Sequence, residues 1–186
     1  KDEYLVETLA GIKHIWLTLN GTEVTSVKVD MGAPNWQRIS LPMIGEGTCI
    51  NQSLEVNSEL YKVTCLSMGN PHCITFVENV DLFPVYAVGP LIENHSAFPK
   101  RTNVGFAQVV NNSELNVRVW ERGCGETLAC GTGACAAVAA ANKLGSVDSK
   151  VTVHVLGGDL QVEVGDTILL SGTAEKVFEG ILFKET

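Results

Sequence analysis

Residues 121–145, ERGCGETLACGTGACAAVAAANKLG, decide how this chain of 186 residues folds. From Gly131 to Lys143 the sequence predicts a helix made almost wholly of alanine, glycine and cysteine. Lys143 in the last turn and Gly145 just beyond it are typical of a helix C-terminus. Because a helix that is apolar on every side is buried, we expect this helix at the centre of a sheet that wraps around it.

Most of the remaining chain predicts β-strands, because apolar and polar residues alternate and β-branched residues are frequent. A second helix is predicted over residues 84–95, weakened by Gly89 and Pro90. Gly157-Gly158-Asp159 predicts a hairpin, and hence antiparallel pairing. The predicted class is α+β, a mostly antiparallel β-sheet around the central alanine-rich helix. The predicted strands are YLVETL, IKHIWLTLNG, TEVTSVKVDM, LYKVTCLSM, HCITFVE, NVGFAQVV, ELNVRVW, KVTVHVL, DLQVEV and DTILLSG.

The composition favours a globular protein that binds a small molecule. Apolar residues make up 45% and charged residues 18% of the chain, and the net charge is −8. Lysine and arginine form no cluster, so we expect no nucleic-acid partner. No apolar run approaches the roughly 20 residues that span a bilayer, and the start has no signal-peptide core. We therefore expect no membrane association and a cytoplasmic location.

The six cysteines are too few for a disulfide scaffold. The spacing C-x5-C-x4-C over residues 124–135 contains no C-x2-C pair, so no metal site is expected. Reduced thiols fit best. Cysteine is also among the most buried residue types, and we therefore expect four thiols in the core: those of Cys65, Cys73, Cys124 and Cys135.

Cys130 differs because it immediately precedes the first turn of the predicted alanine-rich helix. The backbone N–H groups of Gly131, Thr132 and Gly133 have no intrahelical acceptors there, and they favour an anion. A thiol in this position can have its pKa lowered below the usual value of about 8.5. We expect Cys130 to be an activated thiol beside a site that binds a carboxylate.

A dinucleotide site is the alternative for the same glycines, since Gly131, Gly133 and Ala136 match G-x-G-x-x-A. That motif directly follows a strand and opens a parallel βαβ unit. Here a predicted loop over residues 122–129 precedes it and a hairpin follows it, so this function is not favoured. A P-loop is excluded because no Lys-Ser/Thr pair follows the glycines.

The segment ERGCGETLACGTGACA at residues 121–136 resembles the signature around one catalytic cysteine of the diaminopimelate epimerase family. The correspondence runs through essentially the whole chain and covers about the last two-thirds of a family member. Further matching segments are VETLAGIK (6–13), VDMGAPNW (29–36), MGNPHCITFVENVD (68–81), RTNVGFAQV (101–109) and GTAEKVFEGIL (172–182).

The resemblance implies two similar lobes, each a sheet around a central helix, with the active site between them. Each lobe of a family member contributes one cysteine. One thiolate removes the α-proton and the other thiol returns a proton on the opposite face, so no cofactor is needed. The implied reaction converts LL-diaminopimelate to meso-diaminopimelate, and a full-length family member is expected to be a homodimer.

The resemblance also implies roles for individual residues. Cys130 corresponds to a catalytic thiol, and Glu121 and His72 resemble the groups that assist proton movement beside the two thiols. Backbone N–H groups at the helix start would bind the α-carboxylate, and polar side chains would hold the far end of the substrate. The implied substrate-binding residues are Asn70, Asn103, Glu121, Arg122, Gly131 and Thr132.

The family's other cysteine lies in a CGNG-type segment, which does not occur in these 186 residues. We therefore expect residues 1–30 to be the last strands of the first lobe, residues 31–175 to be the second lobe, and residues 176–186 to return to the first. With one of two bases, this chain alone is expected to be inactive. Two alternatives stay open: a related isomerase of the same fold that acts on another acid, such as a proline-racemase-like or phenazine-pathway enzyme, and a non-catalytic lobe.

Overall fold

The computed structural model describes residues 2–9, 11–181 and 183. These residues form twelve β-strands, two α-helices and one 3-10 turn at Arg38–Ser40. The helices are α1 (Val85–Glu93) and α2 (Gly131–Lys143). The strands are β1 (Glu3–Thr8), β2 (Gly11–Asn20), β3 (Glu23–Gly32), β4 (Cys49–Val56), β5 (Glu59–Ser67), β6 (Pro71–Phe76), β7 (Asn103–Asn111), β8 (Glu114–Glu121), β9 (Gly125–Thr127), β10 (Lys150–Val155), β11 (Gly158–Val164) and β12 (Ile168–Gly172).

All strands belong to one sheet, in the order β1-β2-β3-β12-β11-β10-β8-β7-β6-β5-β4, with β9 paired to β8. Only β6–β7 and β8–β10 are parallel among the described pairings. The predicted mostly antiparallel sheet is therefore confirmed. The predicted hairpin is also confirmed, because β10 and β11 pair antiparallel with Val155 opposite Gly158.

Helix α2 lies at the centre of the larger core, as predicted, and contacts strands β5 to β8 and β10 to β12. Every residue from Gly133 to Ala141 is buried. The small side chains permit this close approach. A Cβ added at Gly133 would lie 2.9 Å from Val119 Cγ2, so the sheet packs directly against the helix backbone.

A second core lies on the other face of β5 to β7 and includes α1. Successive residues in a strand point to opposite faces, so Cys65 and Cys73 enter this core while their neighbours Leu66 and Ile74 pack against α2. Strands buried on both faces explain why this part of the sequence is so apolar. Helix α1 ends at Glu93, two residues short of the predicted end.

Two strands do not show the alternation of apolar and polar residues that predicts the others. Strand β4 was not predicted because its polar run Asn51-Gln52-Ser53 breaks the pattern, and the structure has a register shift between Cys49 and Gln52. Asn51 also has a positive φ of 49°. Strand β9 has three residues and lies inside the predicted 122–129 loop, which is corrected here to a short hairpin with β8.

The N-terminal strands extend the same sheet, since β3 pairs with β12. Leu5 and Ile12 are exposed on β1 and β2, as are Val177 and Phe178 near the C-terminus. The boundaries expected at residues 30 and 175 remain predictions. None of the helices in the described part of the chain has the length and apolar character needed to cross a bilayer.

Candidate active site

The start of α2 lies beside the ends of three neighbouring strands, β6, β7 and β8. Strand β7 runs parallel to β6 and antiparallel to β8, so the beginnings of β6 and β7 lie beside the end of β8. His72 is opposite Asn103 in the β6–β7 register, and Glu121 is the last residue of β8. The fold therefore brings residues from two distant stretches of sequence, around His72 and Asn103, to the segment that runs from Glu121 to the helix start.

Cys130 is the N-cap residue of α2, with extended backbone angles (φ −135°, ψ 104°). It is 7% exposed, and its Sγ lies 3.6 Å from Thr132 Oγ1. The first helical hydrogen bond of this turn runs from the Ala134 N–H to the Cys130 carbonyl (2.9 Å). Within the described residues, the N–H groups of Gly131 and Thr132 have no acceptor, so two of the three predicted anion-binding donors are free, whereas the Gly133 N–H is directed at the Cys130 thiol.

The expected lowering of the Cys130 pKa is wrong for this chain. Burial raises the pKa of the Cys130 thiol, and the neighbouring Glu121 carboxylate raises it further. The Thr132 hydroxyl and the Gly133 N–H act in the opposite direction. Desolvation thus outweighs the donors at the helix start, because a thiolate at this buried position loses more hydration than those donors replace.

Thr132, Asn70 and His72 form a hydrogen-bonded chain away from Cys130. Asn70 Nδ2 donates to Thr132 Oγ1 (3.3 Å). The Asn70 Oδ1 therefore faces His72 Nε2 (3.0 Å) and accepts a hydrogen bond from the Nε2–H group. The imidazole is neutral in this arrangement, and its Nδ1 carries a lone pair.

His72 is fully buried, and its Nδ1 has no hydrogen-bond partner among the described residues. Burial lowers the pKa of His72 to about 3, and the positive charge of Arg122 acts in the same direction. The ring therefore stays neutral near pH 7. An unpaired buried acceptor is unusual in a native protein, and this nitrogen is a candidate contact for a group that the described residues do not supply.

Glu121 and Arg122 begin a turn that we call the 121–125 turn. Its ends pair as Glu121 and Gly125 in the β8–β9 hairpin, and Gly123 and Gly125 have positive φ angles of 81° and 87°. Thr127 Oγ1 donates to Glu121 Oε1 (2.6 Å) and orients that carboxylate.

Asn103 supports this turn from β7. Its Oδ1 accepts from the Arg122 N–H (2.9 Å), and its Nδ2 donates to the Pro71 carbonyl (2.8 Å). Asn103 is 4% exposed, whereas Arg122 is exposed and donates one bond to the Lys100 carbonyl (3.3 Å). The Arg122 guanidinium keeps donors for a ligand, and the Asn103 amide is mainly occupied by the protein.

The structure thus places all eight predicted site residues around the start of α2.

The thiols other than Cys130 differ in their exposure to solvent. Cys65, Cys73 and Cys135 are buried as predicted, but Cys124 is exposed at the tip of the 121–125 turn, so its predicted core location is wrong. Cys49, for which no location was predicted, is buried opposite Cys65.

Two supporting residues were missed. Thr127 lies in the stretch predicted as a loop, and nothing in its local sequence marks it. Glu93 is a buried carboxylate near the same turn. Its signal was available, because it is the only charged residue of the otherwise apolar helix α1, VYAVGPLIE.

The chain is similar in sequence to known proteins. The sequence profile of the family described as diaminopimelate epimerase matches residues 64–177. The chain is 52% identical over 183 residues to diaminopimelate epimerase of Moorella thermoacetica, covering 96% of this chain and 66% of that protein. It is 49% identical over 182 residues to the enzyme of Pelotomaculum thermopropionicum, covering 96% and 65% respectively. The chain thus spans about two-thirds of the length of these relatives.

Solved structures share the fold at low sequence identity. A hydroxyproline epimerase from Agrobacterium vitis with bound trans-4-hydroxy-L-proline has a TM-score of 0.69 at 15% identity, covering 93% of this chain and 57% of that one. A PhzF-family phenazine biosynthesis protein from Bacillus anthracis has a TM-score of 0.63 at 18% identity, covering 93% and 66%. With the family profile matching more than half of the residues, the chain belongs to the diaminopimelate epimerase family.

Proposed function

We propose that this chain contributes one of two catalytic thiols to an isomerase that converts LL-diaminopimelate to meso-diaminopimelate without a cofactor. The observation that carries the proposal is the position of Cys130: a buried thiol at a helix start, beside the Glu121 carboxylate and two free backbone N–H groups. A proton donor and acceptor, its acid–base neighbour and an anion site are the groups that proton transfer beside a carboxylate requires.

Burial and Glu121 favour the protonated form of Cys130 in this chain. A thiol can deliver a proton to the α-carbon after another base has removed one. In the reverse direction Cys130 must first lose its proton, and the oriented Glu121 carboxylate is the acceptor in reach. The same pair therefore serves both directions of an epimerisation on one face of the substrate.

The substrate is proposed to bind by its charges. Free N–H groups of Gly131 and Thr132 suit the α-carboxylate, because a helix start favours an anion. The Arg122 guanidinium suits the far carboxylate with parallel hydrogen bonds. The second lone pairs of Asn103 Oδ1 and Asn70 Oδ1 are left for the far ammonium group. Glu121, which also belongs to this set, adds the negative charge that an ammonium prefers.

His72 is proposed to serve the opposite face. Inversion needs a second group there, since a single base returns its proton to the side from which it came. The unpaired Nδ1 of His72 is an acceptor awaiting a donor, and an S–H group fits it. Because the ring is neutral near pH 7, it would accept a hydrogen bond from the second thiol and take up its proton only transiently.

The architecture of the whole enzyme is also a proposal. In it, residues 31–175 form one lobe, while residues 1–30 and 176–186 belong to another that supplies the second thiol. We further propose a homodimer in the cytoplasm, where the six thiols that are free in the structure would stay reduced.

The test is chiral chromatography of diaminopimelate incubated in D2O. The 186-residue chain alone should neither invert LL-diaminopimelate nor incorporate deuterium at a useful rate. The chain joined to the N-terminal segment of its longer relatives should do both. In that extended protein Cys130→Ala should abolish activity, because none of the other five thiols, all of which the structure describes, lies at a helix start beside Glu121.

Cys135→Ala in the extended protein is the matched control, since Cys135 is a buried thiol of the same helix. It should keep activity. Full activity of the Cys130→Ala protein would refute the proposed role of Cys130. Inversion by the 186-residue chain alone would show that a second base lies within it.

A further inference from the structure

Glu93 is a buried carboxylate, 5% exposed, for which the proposed chemistry has no role. It accepts three hydrogen bonds. Its Oε1 receives the Gly123 N–H (2.8 Å) and Arg101 Nη1 (3.2 Å), and its Oε2 receives Trp120 Nε1 (2.7 Å). A buried carboxylate is costly unless it is well paired. Two of its three donors flank Glu121 and Arg122, so this carboxylate holds the 121–125 turn from both sides.

One face of α1 is shaped for this contact. Tyr86, Gly89 and Glu93 follow one another at spacings of three and four residues, which places them on one side of a helix. The Trp120 ring lies against this side. A Cβ at Gly89 would lie 2.7 Å from Trp120 Cγ, and the Tyr86 ring meets Trp120 edge-on with centroids 5.8 Å apart. The missing side chain at Gly89 lets the indole come close enough for its N–H to reach Glu93.

The turn is closed by the Cys124 N–H, which donates to the Glu121 carbonyl (3.0 Å), and by the pairing of Glu121 with Gly125, but its tip faces solvent. Gly123 and Cys124 are exposed, and on the other side the Arg122 N–H is bound by Asn103 Oδ1. Loss of the Glu93 hydrogen bonds would free Trp120 and Gly123 together. Glu121 lies between them and would move with respect to the Cys130 thiol.

We propose that Glu93 is a positioning residue, which fixes the 121–125 turn and so sets the placement of the Glu121 carboxylate beside Cys130 and of the Arg122 guanidinium. What this placement achieves in the reaction rests on the proposed function. The placement itself can be measured on the 186-residue chain without substrate.

The experiment compares Glu93→Gln, Trp120→Phe and Ile92→Val with the unaltered chain. Glu93→Gln keeps the size but removes the charge, and Trp120→Phe removes the N–H donor together with part of the ring system, while it keeps an aromatic ring on the side of Gly89. Ile92→Val is the control, because Ile92 is a fully buried neighbour on the same helix that contributes packing alone. Two readings are taken: the pH midpoint of Cys130 alkylation by mass spectrometry, and the NMR shift of the Gly123 amide proton.

Displacement of Glu121 should lower the Cys130 midpoint, since that carboxylate raises the pKa of the thiol. Loss of the bond to a carboxylate should move the Gly123 amide proton upfield. The lowered midpoint should occur in both Glu93→Gln and Trp120→Phe. The upfield shift should occur in Glu93→Gln, where the Gly123 N–H loses its carboxylate acceptor, and Ile92→Val should show neither change, whatever the melting temperatures. If Glu93→Gln does not fold, Trp120→Phe decides by the Cys130 midpoint.

The proposal is overturned if both readings stay unchanged in the folded variants, or if Ile92→Val changes them equally. Neither reading needs turnover. An inactive extended enzyme would therefore contradict the proposed function but not the role of Glu93. Unchanged readings would contradict the role of Glu93 but not the proposed function.

Discussion

Asn70 donates a hydrogen bond from its Nδ2 to Thr132 Oγ1 over 3.3 Å, and this contact joins the two sides of the candidate active site. Thr132 lies beside Cys130 at the start of α2, and Asn70 continues to the buried ring of His72. The thiol and the unpaired imidazole nitrogen thus belong to one polar cluster, although 58 positions separate them in the sequence (72 to 130).

The first prediction concerns the reactivity of Cys130. Because burial and Glu121 raise its pKa, iodoacetamide should label it with a pH midpoint above the value of about 8.5 for an unperturbed thiol. Exposed Cys124 should be labelled fastest, and buried Cys65 and Cys135 only on unfolding. Peptide mass spectrometry resolves the sites.

Glu121→Gln is the informative variant, since it removes the charge but keeps the size. Its Cys130 midpoint should fall. If Cys130 of the unaltered chain has a lower pH midpoint than glutathione, the raised pKa is wrong and Cys130 is an activated thiolate, as its position in the sequence predicts.

The second prediction is a pH dependence of stability caused by His72. Its pKa is about 3 in the folded chain against 6.5 unfolded, so between these values the unfolded chain binds the extra proton. The contribution of the neutral His72 to the free energy of unfolding should be at its maximum above pH 6.5. It should decrease as the pH falls, by about 2 kcal/mol between pH 7.5 and 5.0. Urea unfolding at both pH values measures it.

His72→Gln should remove most of this difference, whereas His154→Gln, at a partly exposed histidine, is the matched control and should retain it. An equal pH response in His72→Gln and the unaltered chain would show that another group causes the loss.

The third prediction tests the anion site. Sulfate should shift the amide resonances of Gly131 and Thr132 in an NMR titration, because these N–H groups lack acceptors. Thr132→Pro removes one donor in the first helical turn, where proline is tolerated, and should weaken binding. Thr132→Ser keeps both the N–H and the hydroxyl group and should bind as before. Equal sulfate affinity in both variants would place the donors elsewhere.

The fourth prediction compares two glycines of α2. A Cβ at Gly133 would lie 2.9 Å from Val119 Cγ2 and 3.2 Å from the Cys130 sulfur, whereas a Cβ at Gly131 would meet only Leu170 Cδ2, at 3.0 Å. Overpacking costs about 1–3 kcal/mol, so Gly133→Ala should lower the free energy of unfolding by about that amount. Gly131→Ala should change it by less than about 0.5 kcal/mol, because the end of the Leu170 side chain can move.

Urea titrations of the two variants give the comparison. Val119→Ala opens the space that the added methyl group needs, so Gly133→Ala should cost clearly less in that background. An unchanged cost there would exclude contact with Val119 as the cause.

Local sequence determined the elements whose signals lie within a few residues. The bounds of α2 follow from its run of small residues and its C-terminal signals, and most strands follow from alternation. The resemblance around Cys130 further selected the residues that the fold brings to one place. Strand β4 was not predicted, because a polar run with an irregular register interrupts its alternation of apolar and polar residues.

Only the tertiary structure decided the electrostatics of the site. The sequence placed Cys130 at a helix start and suggested an activated thiol, but the pKa of a thiol depends on how much water its neighbours exclude, and that packing comes from distant strands. The exposure of Cys124 and the hydrogen bonds of Glu93 have the same origin. Periodicity and capping act over one or two turns of chain, whereas desolvation and charge pairing act between residues that meet only when the sheet closes around α2.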